Sequence, residues 1–143
     1  MDSTSNTITG AQFFYCNMDM PAMNAITIAW WGKNIAYGRG GIFETSNTIQ
    51  TNTTKGTDYN TTAIANWDST FGIYNGTTRI NIFSNFNKDG NWHYHTITFD
   101  GANVKYYCDS TIKQTSALTG TLPAWKSFCM GLGKAGGVWR QIK

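Results

Sequence analysis

Short runs of alternating apolar and polar residues recur along the chain, broken by Gly, Asn and Asp, and no long helical period interrupts them. Residues 25–31 read as a strand with Ile26, Ile28 and Trp30 on one face and Thr27, Ala29 and Trp31 on the other. Bulk on both faces predicts a central position in a sheet. Residues 32–39 turn, and Gly40-Gly41 leads into a short strand at 42–45. Residues 47–60 are rich in Thr and Asn and read as a surface excursion. A hairpin is predicted from strands at 70–74 and 79–84 around Asn75-Gly76, a pair suited to the two positive φ angles of a type I′ turn. After a polar turn at 87–91 comes the longest strand, 92–99. It sets His93, His95, Ile97 and Phe99 against Trp92, Tyr94, Thr96 and Thr98. Asp100-Gly101 and Asp109-Ser110 return the chain through strands at 104–108 and 112–115, a meander. Further strands are read at 128–132 and 138–143. Nine or ten short strands at even spacing predict an all-β sandwich or barrel, and strands with apolar bulk on both faces favour two packed sheets.

Composition sharpens this picture. A chain of 143 residues is one domain, 1–143, long enough to build its own core. Charged residues are only 13%, while aromatics reach 15%, which excludes the disordered class. The basic residues are scattered, so the electrostatic footprint of a nucleic-acid binder is missing. No apolar run has the length of a membrane span, and residues 1–11 lack the basic start and apolar segment of a signal peptide. Cys16, Cys108 and Cys129 lie far apart without metal-type spacing and read as small buried hydrophobes. Asn52, Asn60 and Asn75 head N-x-[ST] sequons that chance produces in so Asn- and Thr-rich a chain.

One stretch carries a resemblance. Asp89-Gly90-Asn91-Trp92-His93-Tyr94-His95, then Thr98-Phe99-Asp100-Gly101, then Val104-Lys105-Tyr106-Tyr107-Cys108-Asp109, resembles the signature of the concanavalin A-like lectin/glucanase superfamily. More narrowly it looks like the laminin-G-like branch found in bacterial and phage surface proteins. Residues 25–33, 128–133 and 138–143 resemble further strands of that family in the same order, so the likeness spans about 12–143. It implies a two-sheet antiparallel jelly-roll sandwich, with Trp92 filling the core at the end of a sheet. Ser110 stands where the family commonly has Gly. The chain reaches Lys143 where the family continues into another strand, so the expectation is a truncated module or one completed by another chain or segment. The resemblance also implies an extracellular or virion-surface setting, with a glycan or cell-surface polysaccharide, or neighbouring chains of an assembly, as partners.

The chemistry of the residues narrows the function. Glucanases of the superfamily place paired carboxylates on one strand. Here Glu44 is the sole glutamate and has no Asp two or four residues away, and no G-x-S-x-G elbow exists. The expectation is no catalytic residues and no enzyme. His93 and His95 share a strand face and could be half a zinc site, yet no thiolate or carboxylate is tied to them by spacing, and packing is the expected role. Calcium is implied by the resemblance alone, and without a D-x-D-x-D loop no ligand carries over. Aromatics in polar loops are the candidate sugar platform: Trp67 beside Asp68, Tyr37 beside Arg39, and Tyr59. The function expected is a non-catalytic carbohydrate-binding or adhesion module, with a structural domain of a phage or prophage particle as the alternative.

Overall fold

A computed structural model describes residues 14–33, 43–46, 64–67, 70–83, 89–130, 132–135 and 138–141. These residues form twelve strands: β1 (Phe14–Met20), β2 (Ile26–Lys33), β3 (Phe43–Ser46), β4 (Ile64–Trp67), β5 (Thr70–Tyr74), β6 (Arg79–Phe83), β7 (Trp92–Phe99), β8 (Asn103–Cys108), β9 (Thr111–Ala117), β10 (Trp125–Met130), β11 (Leu132–Ala135) and β12 (Val138–Gln141). They pair antiparallel throughout, in a six-stranded sheet ordered β1-β10-β3-β4-β5-β6, a four-stranded sheet ordered β2-β7-β8-β9, and the β11-β12 hairpin.

The core lies between the two larger sheets. Ile97 and Phe99 from β7 and Val104, Tyr106 and Cys108 from β8 meet Ile73 from β5 and Trp125 from β10, with Leu118 and Leu122 closing one end. Burial alternates strictly along β7 and β8, as a two-residue period requires when one face is buried. The inner residues of β7 are His93, His95, Ile97 and Phe99. Trp92, Tyr94, Thr96 and Thr98 face outward. Trp92 is 63% exposed, so it does not fill the core as the resemblance implied. The alternation is phased by the two histidines, whose rings find polar partners, exposed Asp89 and Asp109 for His93 and the buried Tyr106 hydroxyl for His95. β2 is also less central than its sequence suggests. It pairs only with β7 among the described residues, and its outer face, Thr27, Ala29 and Trp31, is exposed.

The turns differ from expectation in an instructive way. Asn75 does not take positive φ; Gly76 alone does, at 93°. Residues 75–78 form a four-residue loop in which the Asn75 side-chain oxygen accepts the N–H groups of Thr77 and Thr78. The Asp100 loop repeats this arrangement. Gly101 has φ 84°, and one Asp100 oxygen accepts from Ala102 and Asn103. The segment between β9 and β10 joins the two loops. Asn75 Nδ2 donates to the Thr119 carbonyl at 2.6 Å, and the Gly120 N–H donates to the Gly101 carbonyl at 3.0 Å. The two-residue turn with both φ positive occurs instead at Asp109 (49°) and Ser110 (67°), directly between the paired Cys108 and Thr111. Beyond the strands read from sequence, β1, β4 and β11 are additional. The excursion at 47–60 lies outside the described residues.

Candidate functional site

The sequence candidates and the structure diverge here. The backbone of Trp67 ends β4 and pairs with Thr70, a strand position and not a loop. Its side chain, together with Asp68, Tyr37, Arg39 and Tyr59, lies outside the described part of the molecule. The surface that the described residues do present is the outer face of the four-stranded sheet. Because β7 and β8 bury every second residue and β2 turns the half-buried Ile26, Ile28 and Trp30 inward, the alternate positions are displayed together. Trp31 and Tyr94 are cross-strand neighbours on β2 and β7, with rings 5.4 Å apart and tilted by 49°. Trp31 and Trp92 are each 63% exposed, Tyr94 40% and Ile112 54%. Beside them a shallow depression of about 320 Å³ is lined by Tyr94, Thr96, Thr98, Tyr107 and Ser110. All five carry a hydroxyl and none is charged. Large exposed apolar groups gathered on one face mark an interaction surface.

At the same end of the sheet, where the turns before β7 and after β8 meet, a polar cluster ties the signature residues together. His93 Nδ1 is 2.6 Å from Asp109 Oδ2, and His93 Nε2 is 3.1 Å and 3.2 Å from the two oxygens of Asp89. The Asp109 hydrogen bond, then that of Asp89, raises the His93 pKa above its ordinary value and favours the imidazolium. Asp109 is held low first by His93 and then by the Tyr94 backbone N–H, which it accepts at 2.9 Å through Oδ1. Asp89 is held low first by the Asn91 N–H and then by His93. The expectation that no carboxylate or thiolate accompanies the histidines is therefore corrected. Two carboxylates flank His93, and the Cys108 Sγ lies 3.8 Å from Asp109 Oδ2. The family-like spacing Asp89…His93…Asp109 was visible in sequence; only the fold shows that it is one ion cluster.

His95 behaves differently. It is buried, stacked on Trp30 at 5.1 Å and on Tyr106 at 6.1 Å, and its Nδ1 lies 2.9 Å from the Tyr106 hydroxyl. Burial lowers the His95 pKa and raises that of Tyr106 well above a free phenol, so a neutral ring and a neutral hydroxyl share this hydrogen bond. Both nitrogens of His93 are engaged by carboxylates, which leaves that ring no lone pair with which to activate a nucleophile. The donor set also does not fit calcium, which takes oxygen ligands: the cluster mixes imidazole and thiol with one carboxylate.

The fold has a solved counterpart. The mouse laminin alpha1 chain, domains LG4-5, is similar in structure with a TM-score of 0.68 over 99% of this chain, at 12% sequence identity. The architecture is a laminin-G-like jelly-roll sandwich. The likeness is one of fold, and this chain spans 41% of that laminin chain. No protein-family model matches the sequence, and no curated protein matches it. No helix among the described residues is long and apolar enough to cross a membrane.

Proposed function

We propose that this domain is a non-catalytic module that binds a glycan on the outer face of the four-stranded sheet. The observation that carries this reading is the depression whose five lining residues are all hydroxyl-bearing, bordered by the exposed Trp31–Tyr94 pair. A pyranose ring offers an apolar face to stack on an aromatic ring and a rim of hydroxyls to exchange hydrogen bonds. The Trp, Tyr, Thr and Ser of this surface match both, and Lys105, paired with Thr98 on the outward side of β8, adds a cationic donor at its border. The laminin-G-like fold is compatible with adhesion outside the cell or on a particle surface. Binding to a glycan array, followed by titration of the best ligand, tests it. Trp31→Ala and Tyr94→Ala are expected to weaken binding by about tenfold or more each, on the order of 1.4 kcal/mol. Trp67→Ala, at the end of β4 beside Asp68 in sequence, serves as the contrasting arm; loss there, with Trp31→Ala unchanged, would move the site toward the sequence candidates Trp67, Asp68, Tyr37, Arg39 and Tyr59. Absence of any glycan retained above background would sink the reading.

A second reading has its own support. Tryptophans exposed to 63% on a sheet face are the residue type that anchors protein interfaces, so the same face fits a neighbouring subunit of a larger assembly, such as a phage or prophage particle. Light scattering separates the two. A monomer at high concentration favours the glycan; self-association abolished by Trp31→Ala favours assembly.

A further inference from the structure

We propose that His93, Cys108 and Asp109 form a zinc site with one coordination position left to solvent. One ligand atom from each of the three lies within 4.8 Å of the other two. Zinc holds such ligands at about 2.0–2.3 Å in tetrahedral geometry, which puts neighbouring ligand atoms roughly 3.4 Å apart. The Cys108 Sγ to Asp109 Oδ2 separation of 3.8 Å is already close to that value. The His93 Nδ1 to Asp109 Oδ2 separation of 2.6 Å spans a shared proton and opens when a metal takes the proton's place.

The fold explains why adjacent residues can act together. Neighbours in a strand point to opposite faces, so Cys108 and Asp109 would ordinarily diverge. The positive φ of Asp109 breaks the alternation and turns its carboxylate back toward the inner face, where His93 and Cys108 already point from adjacent strands. Asp89 supplies the second, independent feature. Its carboxylate at His93 Nε2 keeps a proton on that nitrogen and directs Nδ1 toward the metal, an arrangement that accompanies most metal-bound histidines. A thiolate, an imidazole and a carboxylate together select zinc over the hard cations. His95 lies outside the group of converging ligand atoms, and its Nδ1 faces the Tyr106 hydroxyl. The Asp109 side chain is half exposed and leaves the remaining position open to water. Binding releases two protons, one shared between Nδ1 and Oδ2 and one from the Cys108 thiol.

The test uses the full chain, freed of metal by a chelator and then desalted. Cobalt(II) is expected to bind one ion per chain and to give a sulfur-to-cobalt charge-transfer band, with zinc displacing it. Cys108→Ser and His93→Gln abolish the band, whereas Cys16→Ser and Cys129→Ser retain it. On the unaltered protein, zinc is expected to slow alkylation of Cys108 at least tenfold, with Cys16 unaffected, read by mass spectrometry; this arm does not depend on the variants folding. Absence of a band, a band that survives Cys108→Ser, or equal alkylation of Cys108 with and without zinc would each overturn the proposal and leave the cluster a purely ionic clamp.

Discussion

At the scale of single residues, the Asp89–His93–Asp109 cluster sets a pH window. The folded His93 pKa is raised, so its contribution is complete below the unfolded value of 6.5 and is lost as pH rises through the higher folded value. Asp89 and Asp109 are depressed, so their contributions are present above 3.8 and lost as pH falls through the lower folded values. The clamp is therefore complete between about pH 3.8 and 6.5. His95, kept neutral by burial, acts in the opposite direction, and Cys108 is held protonated, chiefly by burial. In chelator-containing buffer, the urea midpoint of the wild type relative to His93→Gln is expected to fall between pH 6 and pH 9. A constant difference would show that His93 is not charged in the fold. Ser110 offers a second test. It occupies a left-handed conformation at φ 67°, which costs a non-glycine residue roughly 1–2 kcal/mol, partly recovered because Ser loses less freedom than Gly on folding. Ser110→Gly is expected to stabilise the domain by roughly 0.5–1 kcal/mol in the same assay.

At the scale of elements, β7 carries the design. Its inner residues Ile97 and Phe99 are 0% and 2% exposed, and Ile97→Ala is expected to cost about 2–5 kcal/mol by thermal or urea unfolding. The paired loops at Asn75 and Asp100 are the other determinant. Asn75→Ala removes two accepted N–H bonds and the link to Thr119, and a loss of roughly 1–2 kcal/mol is expected. The existence of β7, β8 and the β5–β6 hairpin was legible from runs rich in β-branched and aromatic residues bounded by Asn-Gly, Asp-Gly and Asp-Ser turns. Which face of β7 is buried was not legible. One face holds two histidines, an Ile and a Phe; the other holds a Trp, a Tyr and two Thr, and hydrophobicity alone would not bury the histidines. Their burial depends on Asp89, Asp109 and Tyr106, partners that only the pairing of β7 with β8 and the turns at its ends bring near. The Asn-Gly dipeptide likewise announced a turn at Gly76 but not its length, since the Asn75 side chain competes with the backbone for the loop N–H groups. The outer-face platform is hidden for the same reason as the burial phase: the resemblance puts Trp92 in the core, and with it the face of β7 that carries Tyr94, the partner of Trp31.

At the scale of the molecule, the proposed binding face and the core are separated by the sheet itself. The residues that line the depression come from the outward positions of β7 and β8 and from the Asp109-Ser110 turn, while the core takes the inward positions of the same strands. Trp31→Ala, which removes an exposed side chain, is accordingly expected to change the unfolding midpoint little while weakening binding. A large loss of stability with it would place Trp31 in the core instead. This separation bears on how such a domain changes over time. Substitutions at 27, 29, 31, 94, 96, 98 and 107 can accumulate and re-pattern the displayed surface without passing through unfolded intermediates. One scaffold can thereby be turned toward new surfaces as quickly as those surfaces themselves vary.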